Sequence, residues 1–108
     1  MTDRSTPTAP SSNPRALART LRALAHPTRL RALAAFHDGE LSPVELARLL
    51  DEPRVSLGAL AYHVKRLAAA GLIELSGTIH RRGAVEHRYA ITARGRAVAR
   101  ILDELPMP

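Results

Sequence analysis

The stretch GTIHRRGAVEHRYAI, residues 77–91, sets His80 and His87 seven positions apart, with Arg81, Arg82 and Arg88 around them and Gly83 where the chain must turn. Residues of these types serve three chemistries: metal ligation by imidazole, acid–base catalysis, and electrostatic capture of a polyanion. A stable zinc site wants at least three protein ligands, and strand alternation sends Glu86 to the face opposite His87. The neighbouring arginines also repel a divalent cation. No metal and no other cofactor is therefore expected. Catalysis finds no support either: there is no cysteine, no Ser-His-acid arrangement, no phosphate-cradling glycine loop, and the carboxylates are scattered. The chain does not read as an enzyme. What remains is a basic turn between two strands, suited to phosphate.

The whole chain leans the same way. Sixteen Lys and Arg against ten Asp and Glu give a net charge of +6 over 108 residues, which makes a polyanion the first partner to consider. Lys65 is the one lysine; the arginine preference is also what a GC-rich coding bias produces, so it is not read as function. The length suits one domain with a single core. The absence of cysteine excludes disulfide scaffolds and thiolate metal sites and fits a reducing compartment. No apolar run nears the ~18 residues of a spanning helix, and the N-terminus lacks a secretory apolar segment. A cytoplasmic protein without membrane attachment is expected.

Positioning the basic turn requires a scaffold, and the chain supplies one. Residues 1–14 are rich in Pro, Ser and Thr and are expected to be a disordered tail; 15–105 form the domain, and 106–108 a short C-terminal tail. Leu17, Leu21 and Leu24 make one apolar stripe of a first helix. A second opens at Pro27 with Leu30, Leu33, Ala34 and His37 on its stripe, and stops at Gly39. The third has a full start signal: Ser42 as cap, Pro43 at the first helical position, Glu45 completing a capping box, and Leu41 stapling onto Leu46. Pro53 ends it in a tight turn at about 51–55. Ser56 then caps a fourth helix whose apolar arc is Leu57, Leu60, Val64, Leu67 and Ala68. The opposite arc holds Gly58, Ala59, Tyr62, Lys65, Arg66 and Ala69, with His63 at the edge between them.

Beyond Gly71 the period shifts from 3.6 towards 2, and 72–79 and 84–91 read as strands about an HRRG turn. Val85, His87, Tyr89 and Ile91 share a face expected to pack on the domain. Thr92 caps a last helix with Val98, Ile101, Leu102 and Leu105 on one side.

This order, α-α-α-α-β-β-α, mainly α with a small β-hairpin, is that of a winged helix-turn-helix. A major groove ~12 Å wide admits one helix, whose face must lack large apolar groups and carry hydrogen-bonding ones. Gly58 and Ala59 allow close approach, and Tyr62, Lys65 and Arg66 could reach base edges or phosphate. Between Arg81 and Arg100 six arginines face one acid, Glu86, which favours a phosphate-facing wing over a protein–protein adaptor built on the same fold.

The segments LRALAHPTRLRALAAF, LSPVELARLL and VSLGALAYHVKRLAAAGLIEL resemble those of the ArsR-type winged-helix transcriptional regulators, and the resemblance runs from about Arg15 to Leu105. It implies that residues 56–70 are the recognition helix, that the 72–91 hairpin is the wing with its outer part at 77–91, and that the protein works as a homodimeric repressor. Tyr62-His63 stands where relatives often carry a His-His pair. Departures matter equally: Ser42 and Val44 replace the Cys-x-Cys of soft-metal sensors, and the last helix has no histidine, so metal sensing is not carried over. The expected DNA-contact set is Ser56, Gly58, Ala59, Tyr62, His63, Lys65 and Arg66 with Arg81, Arg82 and Arg88. The expected dimer interface is Leu17, Leu21, Leu24, Val98, Ile101, Leu102 and Leu105, and the expected partner of the dimer is a pseudo-palindromic double-stranded DNA operator.

Overall fold

The computed structural model describes residues 13–104, and of Asp38 the backbone only. The two expected tails, except for Asn13 and Pro14, and the interface residue Leu105 lie outside the described residues. Helix α1 spans Pro14–Ala23, α2 Pro27–Ala35 with a 3-10 turn at Phe36–Asp38, α3 Pro43–Leu50, α4 Leu57–Ala69 and α5 Ala93–Glu104; the strands are β1 Ile73–Arg81 and β2 Ala84–Ile91.

Local chemistry accounts for most of the boundaries. Asn13 caps α1 through its side chain, so the first helix starts with Pro14 inside it. At α3 the Glu45 amide donates to Ser42 Oγ at 3.2 Å while Glu45 Oε1 accepts from the Ser42 amide at 2.9 Å, the reciprocal box expected. The Ala59 amide donates to Ser56 Oγ at 3.0 Å and starts α4. Asp51, in the left-handed region at φ 47°, ends α3.

The core is a three-helix cluster closed by the root of the hairpin: Leu24, Ala32, Leu33, Phe36, Leu46, Leu50, Leu60, Val64, Leu67, Leu72, Ile73 and Ile91. The buried side of α2 differs from the expected stripe. Arg29, Ala32 and Leu33 face inward, followed by the single phenylalanine, while Leu30, Ala34 and His37 are exposed. The stripe is rotated by one residue because Phe36, the largest fully buried side chain, continues the helix's inner face into the 3-10 turn. Arg31 fastens the same helix to the end of α3, donating to the Leu50 carbonyl at 2.8 Å and pairing with Glu52 at 3.4 Å. The turn before α4 is thereby held.

The strands pair antiparallel, from Ile73 opposite Ile91 to Arg81 opposite Ala84, with a bulge between Leu75 and Gly77. β2 has the expected bounds, while β1 starts one residue later and runs two residues further than expected, so that only Arg82 and Gly83 form the turn. Both have positive φ, 50° and 80°, as the mirror-image turns that match strand twist require. Leu41 adds a one-residue bridge to Tyr89, with the amide of each donating to the other's carbonyl at 2.9 Å. Burial grades along β2: Val85 and His87 are exposed, Tyr89 is half-buried and Ile91 buried. The expectation that His87 packs on the domain is corrected, because the outer half of the hairpin projects past the core.

Helix α5 packs against α2 and β2 and is tied to α1 by one arginine. Arg94 donates to Thr20 Oγ1 at 2.8 Å and reaches the Ala16 carbonyl at 3.5 Å. Of the expected interface stripe, Leu24 is buried in the domain's own core and so does not belong to it; Val98 and Leu102 pack partly on that core. Leu17, Leu21 and Ile101 stay 39%, 60% and 59% exposed.

Candidate nucleic-acid interface

Helix α4 is anchored by Leu60, Val64 and Leu67, all buried against α2 and α3. A 3.6-residue period then leaves the opposite side free. Ser56, Gly58, Tyr62, Lys65 and Arg66 are exposed and Ala59 is half-buried. Tyr62 stands 56% exposed in the middle of this face. The first helical amides beside Gly58 add the partial positive charge of a helix N-terminus, a natural phosphate contact.

The second surface is the hairpin tip. Arg81 closes β1 and Arg82 occupies the turn, both exposed. Between tip and helix runs an open, mostly apolar recess whose walls include Val44, Leu57, Ala61, Val85 and Tyr89, with Lys65 and His87 also lining it. His87 therefore belongs to the space between helix and wing. His80 sits opposite Val85 and His87 opposite Thr78, so the two histidines are diagonal neighbours on one ladder face. Among the described residues no three His, Asp or Glu side chains come together as a metal site.

Arg88, expected to contact DNA, is directed elsewhere. It donates to the Glu40 carbonyl at 2.7 Å and pairs with Glu45 at 3.2 Å, clamping β2 onto the start of α3. Its charge is neutralised within the domain, which takes it out of the contact set. Glu45 in turn is held below its ordinary 4.5, first because its carboxylate accepts the Ser42 amide and then because of the Arg88 charge, against an opposing effect of burial.

His63 also departs from a simple surface role. Its ring is half-buried and Nδ1 accepts from Arg29 Nε at 2.9 Å. The guanidinium carbon of Arg29 lies 5.8 Å from the centre of the Tyr62 ring. Burial, then the Arg29 charge, then His26 push the His63 pKa below its ordinary 6.5. Arg29 was not among the residues expected from sequence. The signal was present in the spacing 29, 32, 33, 36, which places an arginine on the buried stripe once Phe36 is counted in it.

Both shifted groups mean that the folded chain binds fewer protons than the unfolded one, so stability rises with pH in each window. The neutral His63 contribution is intact above 6.5 and declines as the pH drops below that value; the Glu45 contribution is intact above 4.5 and declines below it. Thermal melts taken from about pH 8 down to about pH 4 are expected to show the midpoint falling in two stages. A midpoint that stays level from about pH 7 to about pH 5 would remove the His63 contribution.

Residues 24–76 match the family model described as Helix-turn-helix domain. No curated protein matches the chain by sequence. Among solved structures the chain is similar to reduced HlyU from Vibrio cholerae, at 27% identity and TM-score 0.67 over 91% of this chain and 96% of that one. It is similar also to an ArsR family transcriptional regulator, at 28% identity and TM-score 0.59 over 85% and 88%. Bacillus subtilis PadR in complex with operator DNA matches at 19% identity and TM-score 0.65 over 74% of this chain and 49% of that one. This last likeness shows the fold alone, and the chain spans about half of PadR's length. No helix among the described residues is long and apolar enough to cross a membrane. The order of elements, the two-stranded wing, the matching domain model and these likenesses make the chain a winged helix-turn-helix protein similar to ArsR-type transcriptional regulators, which places it with DNA-binding regulators.

Proposed function

We propose that the protein is a sequence-specific double-stranded DNA-binding repressor that acts in the cytoplasm as a homodimer. Helix α4 enters the major groove, with Tyr62 and Lys65 at base edges or backbone and Ser56, Gly58, Ala59, His63 and Arg66 beside them. Arg81 and Arg82 meet phosphates or the adjacent minor groove. The observation that carries this reading is the pairing of an open face of small and hydrogen-bonding residues on α4 with a two-arginine hairpin tip beside it. Two such units related by a two-fold axis through α1 and α5 read half-sites about one DNA turn apart, ~34 Å, hence a pseudo-palindrome.

Selection of genomic fragments with the purified protein, followed by footprinting, supplies the operator. Removing both wing arginines is expected to flatten the dependence of log affinity on log salt by about 1.8, about 0.9 for each phosphate no longer neutralised, on every sequence alike. Tyr62→Ala is expected to reduce the preference for operator over random duplex by about tenfold, in line with a single good base contact. Equal weakening on both duplexes would take the reading role away from Tyr62, and an unaltered salt slope would take the wing off the backbone. Absence of any enriched fragment at low salt would point instead to a winged-helix adaptor that binds protein.

A further inference from the structure

We propose that Arg29 is a positioning residue for the reading helix: it ties α1 to His63 and underlies Tyr62, so that operator discrimination requires both Arg29 and a neutral His63. This rests on the DNA-reading role of α4. Arg29 is 5% exposed, an unusual place for a guanidinium, and among the described residues its hydrogen-bond partners are a carbonyl and an imidazole rather than a carboxylate. Burying a charge without a counter-ion is unfavourable, so the arrangement needs another reason to persist.

Geometry supplies that reason. One edge of the planar fork donates through NH1 to the carbonyl of Ala23, the last residue of α1, at 3.1 Å. Nε donates to His63 Nδ1, and the same guanidinium lies against the Tyr62 ring, where the attraction of a cation for an aromatic face adds to the contact. Three helices thus meet at one rigid group, and two consecutive residues of the reading helix take their orientation from it. Lysine, a point charge without the fork, cannot hold both donors at these angles.

The hydrogen bond to Nδ1 exists only while the imidazole is neutral. The charged or titratable groups facing His63 from packed elements are Arg29 of α2 and His26 just before it, whose ring centre is 5.5 Å away; on its own helix Tyr62 is 6.0 Å away. None is an acid. A protonated His63 would set donor against donor and cation against cation, and the fork would let go of the helix.

The test compares affinities of the full chain for the selected operator and for a random duplex of equal length, at about pH 8 and about pH 5, so that general charge gains on protonation cancel in the ratio. The wild-type ratio is expected to fall by about tenfold at the lower pH, the equivalent of one base contact. His63→Gln is expected to show a ratio that no longer changes with pH. Arg29→Gln and Arg29→Lys are expected to have, already at the higher pH, the reduced ratio of the acidified wild type. If circular dichroism finds either Arg29 variant unfolded, the wild-type and His63→Gln series decide. A wild-type ratio independent of pH, or a folded Arg29→Gln with the wild-type ratio, overturns the positioning role. A wild type with no operator preference at the higher pH overturns the DNA reading beneath it, a different and separately visible result.

Discussion

Replacing Leu21 and Ile101 together by aspartate is expected to leave each chain folded, to halve the mass of the particle in solution, and to weaken operator binding about a hundredfold or more, the scale on which linked binding sites reinforce each other. Both side chains are about 60% exposed, on two helices that Arg94 holds together through Thr20. Substitution at such positions ordinarily changes a fold's stability by no more than about 0.5 kcal/mol. Around a two-fold axis the same patch serves both partners, so each new carboxylate is introduced twice, close to its own image. Sedimentation across micromolar concentrations checks the assembly, and titration of the operator checks the affinity. A variant that sediments like the wild type would move the interface away from these two helices.

Gly95→Ala is expected to destabilise the fold by about 2–3 kcal/mol, at the upper end of what an added methyl costs in a packed interior. Gly95 is the third residue of α5, and its amide donates to Thr92 Oγ1, whose hydroxyl in turn donates to the Gly71 carbonyl. A methyl at Gly95 would collide with the Leu72 carbonyl and the Ile91 side chain. One obstacle is backbone, which cannot swing aside as a lysine tip would. In an open helix the same exchange stabilises by about 1 kcal/mol, so the sign alone is diagnostic. Gly58→Ala, where the nearest atom is Ser56 Oγ at 4.0 Å, provides the comparison and is expected to gain stability. Urea denaturation of the three proteins reads the difference; a more stable Gly95→Ala would mean that α5 does not sit against the hairpin root as described.

The starts of α2, α3 and α4 were legible because caps act over three or four residues: Ser42 with Glu45, Ser56 with Ala59, and the prolines at 27 and 43; Asn13 and Pro14, which start α1, had been assigned to the tail. The exposed face of α4 followed from helical period alone. What escaped is chemistry that exists only when distant segments meet. Arg29 is 34 residues from His63 and Arg88 is 48 from Glu40, and no local pattern distinguishes these arginines from solvated ones. The close approach at Gly95 is of the same kind, since RGRA reads as a weak spot in a helix until the Leu72 carbonyl is beside it. His87 was misplaced because alternation reports which residues share a face and not how far that face extends beyond the core.

Arg82 occupies a left-handed backbone position that glycine or asparagine would fill with less strain. For an ordinary side chain that conformation is unfavourable by about 1–2 kcal/mol, and nothing in hairpin formation requires a cation there. On the proposed reading, the tip carries an arginine because of what lies outside the molecule. Selection for heat resistance and selection for operator affinity would then pull this one codon in opposite directions, so a chain evolved or engineered only for thermal endurance would tend to lose its grip on DNA first at the wing.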